Sequence, residues 1–244
     1  MEDKVIYKND GYISWIILNR ANKLNALDYD SWNQLYNLLI RADNDGTKII
    51  VLTGSGRAFS TGDDINAMYG IDGVQQSEKF FNSISNAVEA MIDLKKPLIS
   101  LVNGLAYGGG CEILLLSDIV IASSDAKFSI PEGKLGLIPP MAVTIGYKTL
   151  GRKIMRLLLT GEEINANEAK EIGIVDYISP KEKLNDKLNE VISSIDKIAP
   201  ESIKSIKSWT RKDKRLLEKA ITELSFMVTT PSAKEREKMF MNKK

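Results

Sequence analysis

The sequence contains no histidine in its 244 residues. This absence excludes Ser-His-Asp and Cys-His nucleophilic sites, most zinc sites and any imidazole base. If the protein is an enzyme, its acid and base catalysis must therefore come from Glu, Asp, Tyr, Lys or Cys side chains.

Cysteine is nearly absent as well. Cys111 is the single one, which excludes an internal disulfide framework and a multi-cysteine metal site. We expect a buried, apolar role for this thiol and a reducing compartment, with the cytoplasm as the default. No apolar stretch reaches the length of a membrane span, and the first ten residues, MEDKVIYKND, show no leader pattern, so we expect no membrane partner and no targeting signal.

The chain also has no large excess of positive or negative charge. The 33 Lys and Arg residues balance 32 Asp and Glu residues, so no global field attracts nucleic acid. The basic stretch KSIKSWTRKDKRLLEK (204–219) could suggest RNA binding, but Leu216, Leu217 and Ile221 interleave with it at helical spacing. This pattern favours a solvated helix face, and we expect no nucleic-acid partner.

Strand and helix patterns alternate in the first half of the chain. Apolar runs predict strands at 12–18, 48–53 and 97–102, and helical spacing predicts helices over 28–43 and 77–94. Trp32 and Phe80 fall on the core faces of these helices. The alternation favours an α/β fold with parallel pairing, and the hydrophobic content of 43% allows one large domain or two small ones.

The second half reads as mostly helical. After a helix at about 109–116 come two short strand patterns, DIVIAS and KFSI. Helices at about 152–160 and 166–172, a strand IVDYI and three or four amphipathic helices follow. We expect a core over 1–180 and a C-terminal helical module over 181–244.

The stretch YGGGCEI (107–113) contains three consecutive glycines, at the start of an apolar run. The Walker and Rossmann spacings are both absent, so a nucleotide phosphate loop is unsupported. The stretch reads as strand PLISLV, turn NGLAYGG and helix GCEILLLS, whose N-terminus offers free N–H groups to an anion or oxyanion. A tight turn in which Glu112 only complements the helix dipole is the alternative.

Two further stretches share this character. RAFSTGDDI (57–65) also ends a strand in a turn of small residues that opens a helix, and it could supply a second set of N–H groups. In SIPEGKLGLIPP (129–140), Glu132 follows a proline in apolar surroundings, where a carboxylate is either a helix cap or functional.

Five segments together resemble the enoyl-CoA hydratase/isomerase (crotonase) superfamily, in the family's order. They are LNRANKLNAL (18–27), GRAFSTGDDI (56–65), KPLISLVNGLAYGGGCEILLLSDIVIAS (96–123), FSIPEGKLGLIPP (128–140) and LLLTGEEINANEAKEIGIVDYI (157–178). The resemblance implies an α/β fold, a crotonase-like spiral of ββα units with a helical C-terminal module. It also implies assembly as a homotrimer or a dimer of trimers, in which the C-terminal module would serve in oligomerisation and cover the active site.

The resemblance implies an oxyanion hole made by two backbone N–H groups, those of Asp63 and Gly109. Asp63 departs from the small residue often found there, and we expect its carboxylate to point to solvent or to cap the following helix. The resemblance also makes Glu112 and Glu132 the pair that holds one water over the substrate double bond. Glu132 would donate the proton to Cα, and Glu112 would act as the base on water.

The same resemblance implies a path for coenzyme A, which enters as part of the thioester substrate. Lys23 and Leu24 would form one wall, although Ala21 replaces the customary proline. Arg20, Lys23 or a C-terminal lysine could meet the CoA phosphates. The other implied substrate-binding residues are Thr61, Gly62, Asp64, Ile65, Asn66 and Gly108. Asp64 has the alternative role of N-cap of the helix that begins at Ile65.

The activity implied is addition of water to 2-enoyl-CoA thioesters, without a metal or redox cofactor. A Δ3,Δ2-enoyl-CoA isomerase of the same family is the first alternative, and a non-catalytic or RNA-binding protein on this scaffold is a remote one. The segment PMAVTIGYKTLG (140–151) should border the acyl pocket. It resembles members that act on branched or carboxylated enoyl groups, which leaves the acyl substituents open.

Overall fold

The computed structural model describes residues 3–210 and 213–242. In those residues the strands are β1 (Val5–Asn9), β2 (Ile13–Leu18), β3 (Ile49–Gly54), β4 (Ala58–Ser60), β5 (Leu98–Val102), β6 (Leu105–Tyr107), β7 (Ile119–Ser123), β8 (Lys127–Ser129), β9 (Ile164–Asn165) and β10 (Tyr177–Ser179).

The α-helices are α1 (Tyr29–Asn44), α2 (Ile65–Tyr69), α3 (Val74–Asp93), α4 (Gly109–Leu114), α5 (Tyr147–Leu150), α6 (Met155–Thr160), α7 (Ala166–Ile172), α8 (Leu184–Ile195), α9 (Pro200–Trp209), α10 (Lys214–Met227) and α11 (Pro231–Met241). Short 3₁₀ turns include Ala21–Lys23 and Glu132–Leu135, and a π-helical segment covers Ala142–Gly146.

The strands form two sheets. The six-stranded sheet has the order β1-β2-β3-β5-β7-β10, in which only the β1–β2 pair is antiparallel. The four-stranded sheet has the order β4-β6-β8-β9, with parallel pairing except between β8 and β9. Parallel pairing in an α/β fold, as the alternation of patterns predicts, is confirmed.

The central strands β3 and β5 of the larger sheet are mostly apolar and are buried on both faces. Ile50 and Leu52 of β3 belong to the main core with Trp32, whereas Ile49 and Val51 belong to a second cluster. Successive side chains of a strand point to opposite faces, so one continuous apolar run serves both cores. Helix α8 covers the second face with Leu184, Leu188, Val191 and Ile192.

The second sheet corrects one prediction. The segment NGLAYGG is not a turn throughout, because Leu105–Tyr107 forms β6 between β4 and β8. Pairing on both sides and the complete burial of Ala106 outweigh the turn-forming neighbours. The predicted strand IVDYI also shifts to Tyr177–Ser179, since Ile174 and Val175 pack into the core after α7.

The C-terminal helices pack against the rest of the chain. Leu217, Ile221 and Leu224 of α10 join the main core, and Ser77 Oγ on α3 donates a 2.8 Å hydrogen bond to the Ser225 carbonyl. The division at residue 180 stays a prediction. Arg211 and Lys212 of the basic stretch lie outside the described residues. Within the described ranges, no helix combines the length and apolarity that crossing a bilayer requires.

Candidate active site

Two glycine-bearing turns meet at one edge of the small sheet. β4 and β6 are parallel neighbours, so the turns that follow them lie side by side. Gly62 has a φ of +78° and Gly108 a φ of +53°, which favour glycine at both positions. A Cβ on Gly62 would lie 2.6 Å from Gly109 N, and a Cβ on Gly109 would lie 3.8 Å from Asp63 N. The two turns are therefore in contact.

Leu27 holds the first turn in place. Its N–H donates to the Gly62 carbonyl at 2.8 Å, and its carbonyl accepts from Asp64 N at 2.9 Å. These bonds bracket Asp63, whose own N–H finds no acceptor among residues 3–210 and 213–242; the same holds for Gly109 N–H at the start of α4. Two neighbouring N–H groups are thus available to one oxygen atom of a ligand.

The glycines of the second turn have separate structural reasons. At Gly108, a Cβ would lie 2.9 Å from Glu132 Oε1, and at Gly110 it would lie 2.4 Å from the Ser60 carbonyl oxygen. At Gly109, a Cβ would meet no atom closer than 3.6 Å. The run YGGGCEI therefore allows two close approaches of the backbone, one of them to a carboxylate.

Glu112 lies in the first turn of α4 and is 2% exposed. Its Oε1 accepts a 2.8 Å hydrogen bond from the N–H of Ala142, which begins the π-helical segment. Burial and the charge of Glu132 raise the pKa of Glu112 well above its ordinary value. The bond from Ala142 also brings the segment 140–151 to the site, where the sequence predicts it.

Glu132 begins the 3₁₀ turn that follows β8. Its Oε2 is buried and accepts no hydrogen bond from a residue in the described ranges. Burial raises the pKa of Glu132, and the charge of Asp63 adds to the increase. Because the charge of Glu132 acts on Glu112, the two carboxyl groups share one poorly solvated site and cannot both ionise easily.

The side chain of Asp63 does not point to solvent or cap α2, so this expectation is wrong. Its Oδ1 accepts a 2.8 Å hydrogen bond from Nε1 of Trp32, a fully buried residue of α1. A buried indole N–H requires an acceptor, and this requirement turns the carboxyl group inward. Burial raises the pKa of Asp63 to about 6, against the effect of the Trp32 hydrogen bond. The site thus contains a third carboxyl group that sequence reasoning missed.

The comparisons with known proteins agree with this geometry. A family model described as enoyl-CoA hydratase/isomerase matches residues 8–243. The chain belongs to the enoyl-CoA hydratase/isomerase family. It is similar to the probable enoyl-CoA hydratase of Rhizobium meliloti, with 34% identity over 91% of this chain and 85% of that protein. It is also similar to the short-chain-enoyl-CoA hydratase of Clostridium acetobutylicum, with 33% identity over 83% of this chain and 78% of that protein.

The fold is that of solved members of the family. An enoyl-CoA hydratase structure from Bacillus halodurans has a TM-score of 0.90 and 22% identity, and the match covers 97% of this chain and all of that one. This likeness confirms the predicted crotonase-like α/β fold with a helical C-terminal region.

The segment that the family resemblance makes one wall of the CoA path lies against the first turn. Thr61 N donates to the Leu24 carbonyl at 3.1 Å, and Lys23 is exposed beside it. Leu24 and Asn25 have φ values of 51° and 57°, in the left-handed region. Asn25, which sequence reasoning missed, is buried and donates to the carbonyls of Ser55 and Ala58.

Asp64 has the structural role given as its alternative. Its side chain accepts from Asn66 N at 3.1 Å and caps α2, so this prediction is confirmed. It also forms a 3.0 Å ion pair with Arg20. Arg20 is therefore engaged within the fold, while Lys23, Ile65 and Asn66 keep partly or fully exposed side chains. Cys111 is completely buried, as expected, and burial raises its pKa.

Proposed function

We propose that this protein adds water across the 2,3 double bond of 2-enoyl-CoA thioesters. The observation that carries the proposal is that two N–H groups without an acceptor in the described part of the chain, those of Asp63 and Gly109, lie beside the buried Glu112 and the partly buried Glu132. The family and the hydratase names of its relatives support the same reaction.

The thioester oxygen would accept hydrogen bonds from the N–H groups of Asp63 and Gly109. Negative charge builds on this oxygen as the enolate forms, so fixed donors stabilise the transition state more than the bound substrate. Loss of one such donor typically costs about 2.7–4 kcal/mol. Because both donors are backbone groups held by neighbouring turns, they need little rearrangement during the reaction.

Glu112 would take a proton from water as the oxygen of that water bonds to Cβ. Glu132 would give its proton to Cα, so that the product gains the atoms of one water. Each carboxylate accepts a backbone hydrogen bond that stabilises its charged form, from Ala142 N–H for Glu112 and from its own N–H for Glu132. The assignment of Glu112 as the base and Glu132 as the acid therefore rests on the family resemblance, since the two groups titrate as a pair.

Coenzyme A would enter as part of the substrate, and we propose no metal or redox cofactor. Lys23, Leu24, Thr61, Gly62, Asp64, Ile65, Asn66 and Gly108 are the proposed substrate-binding residues. Of these, Lys23 has an exposed ammonium group on the surface beside the first turn, which suits a CoA phosphate.

We also propose a homotrimer or a dimer of trimers in the cytoplasm. The apolar faces of the last helices are only partly used within the chain. Leu217, Ile221 and Leu224 are buried, but Phe226 is 66% exposed and Trp209 on α9 is 89% exposed. Large exposed apolar side chains of this kind suit an interface with another copy.

A panel of 2-enoyl-CoA and 3-enoyl-CoA esters, followed at the absorbance of the conjugated thioester, tests the reaction. Loss of the absorbance of crotonyl-CoA indicates hydration and supports the proposal. Reaction of the 3-enoyl esters alone would replace hydratase by isomerase. If no ester binds and RNA does, the enzymatic function is wrong.

A further inference from the structure

Glu132 begins the short 3₁₀ turn Glu132–Leu135, whose backbone hydrogen bonds are local. Lys134 N donates to the Pro131 carbonyl at 2.9 Å, and Leu137 N donates to the Glu132 carbonyl at 3.1 Å. Bonds of this kind shape the turn but do not attach it to the rest of the molecule. The position of the Glu132 carboxyl group therefore depends on contacts between this turn and other elements.

Gly161, at the end of α6, is a point to which the turn is attached. Its carbonyl oxygen accepts a hydrogen bond from Lys134 Nζ and another, at 3.2 Å, from Ser129 Oγ. Ser129 is the last residue of β8 and is buried. One carbonyl group thus binds both the strand that leads into the turn and a side chain of the turn itself.

The absence of a side chain at Gly161 brings the turn close to this carbonyl group. A Cβ on Gly161 would lie 3.0 Å from Pro131 Cα and 2.9 Å from Lys134 Cε. Lys134 is exposed as a whole, but its aliphatic stem lies against the Gly161 backbone. The ammonium group is therefore held at the carbonyl oxygen by packing as well as by the hydrogen bond.

The same contacts reach the second glycine-bearing turn. The Ser129 carbonyl accepts from Gly108 N at 2.9 Å, and a Cβ on Gly108 would lie 2.9 Å from Glu132 Oε1. Through Ser129 and Lys134, Gly161 sets the place of Glu132 relative to Gly108. A displacement of about 1 Å in a reacting group can reduce a rate about 100-fold, so this placement matters for a proton transfer.

We propose that Lys134 is a positioning residue, whose hydrogen bond to the Gly161 carbonyl holds the Glu132 carboxyl group where it delivers a proton. The inference rests on the proposed function for the role of Glu132. Lys134 acts through Glu132 and not through the oxyanion hole. Its loss should therefore lower kcat and leave the binding of a CoA thioester almost unchanged.

Lys134→Met tests this role, because it removes the ammonium group and keeps most of the stem. We expect the kcat for hydration of crotonyl-CoA to fall about 5- to 50-fold. The Kd of butyryl-CoA, measured by calorimetry, should change less than about twofold. Lys134→Arg restores a donor and should recover at least about half of the native kcat.

Lys153→Met is the matched control. Lys153 is also exposed, and its Nζ donates to a backbone carbonyl, that of Glu171, at 3.3 Å. This bond lies outside the turn of Glu132, so the control should keep the native kcat. A loss as large as that of Lys134→Met would show that removal of a lysine–carbonyl bond anywhere lowers activity, and would overturn the inference.

A double-mutant cycle with Glu132→Gln separates positioning from a general structural role. In that background Lys134→Met should change the residual kcat by less than about twofold, since the carboxyl group that it positions is already gone. The same loss in both backgrounds, or a native kcat in Lys134→Met alone, would overturn the inference.

Failure of the proposed function gives a different result. If the native protein binds butyryl-CoA but does not hydrate crotonyl-CoA, the hydratase proposal fails. Hydrogen exchange of residues 130–137 then tests the attachment without turnover. Faster exchange in Lys134→Met than in Lys153→Met would support it, and equal exchange would overturn it. If crotonyl-CoA is hydrated at the native rate by Lys134→Met, only the role of Lys134 fails.

Discussion

Gly62 and Gly109 are in direct backbone contact: a Cβ on Gly62 would lie 2.6 Å from Gly109 N. Gly62→Ala should therefore push the two turns apart and separate the Asp63 and Gly109 N–H groups. We expect the kcat/KM for crotonyl-CoA to fall at least about 100-fold, as for loss of one oxyanion donor. The measurement is steady-state hydration by the purified variant.

Gly73→Ala provides the control for this substitution. Gly73 has a φ of +83°, close to that of Gly62, but nothing lies within 4 Å of its Cβ position. Both variants incur the strain of a side chain in the left-handed region, of the order of 1 kcal/mol. Only Gly62→Ala should lose activity, and equal losses in the two variants would show that backbone strain alone is responsible.

Asp45 connects β1, β2 and the segment before β5. Its carboxylate accepts from Lys96 Nζ at 2.7 Å, Ser14 Oγ at 2.6 Å, Thr47 Oγ1 at 2.5 Å and also from the Tyr7 hydroxyl. Burial acts to raise the pKa of Asp45, but these hydrogen bonds outweigh it and lower the pKa far below its ordinary value.

A lowered acid pKa stabilises the fold above the unfolded-state pKa and loses this effect as the pH falls. Asp45→Asn should lower the free energy of unfolding at pH 7 by about 1–3 kcal/mol. The deficit relative to the native protein should shrink below about pH 4. Denaturant titrations at several pH values measure it, and a deficit independent of pH would contradict the assignment.

The pKa of Glu237 on α11 is shifted in the opposite direction to that of Asp45. It is completely buried, and neither carboxylate oxygen accepts a hydrogen bond from a described residue. Lys234 Nζ is 3.8 Å away but donates to the carbonyls of Met68 and Tyr69. Burial raises the pKa of Glu237 to about 7, although the charge of Lys234 opposes the increase.

A raised acid pKa means that the fold prefers the protonated group, so stability falls as the pH rises from about 4.5 to about 7. Glu237→Gln removes this dependence. The melting temperature of the variant minus that of the native protein should therefore be a few degrees larger at pH 8 than at pH 5. Melting curves at both pH values measure the gain; if it is the same at both, the carboxyl group does not titrate in this range.

Much of the larger sheet can be predicted from the sequence. The strands β2, β3 and β5 and the helices α1 and α3 begin and end within three residues of the predicted ranges, because long apolar runs and helical spacing carry their own signal. β4, β6 and β8 have three residues each, too few for a period, and they depend on pairing with one another.

The candidate site could likewise be predicted only in part from the sequence. The motifs identify Glu112, Glu132 and the two turns because those residues stand in short, ordered segments, and the structure brings them together. The inward direction of Asp63 could not be read from its turn, since it depends on an indole N–H 31 positions away in the chain. Trp32 lies on the apolar face of its helix, and a buried indole N–H requires an acceptor. This requirement is the signal that could have indicated the inward direction of the Asp63 side chain.

Hydration of crotonyl-CoA by Glu112→Gln and Glu132→Gln is the measurement that tests the pair most directly, with Glu78→Gln on the exposed face of α3 as the control. Each site variant should lose a factor of about 10² to 10⁴ in kcat, since one proton transfer loses its carboxyl group, while the control keeps the native rate. A native rate in either site variant would contradict the two-glutamate mechanism.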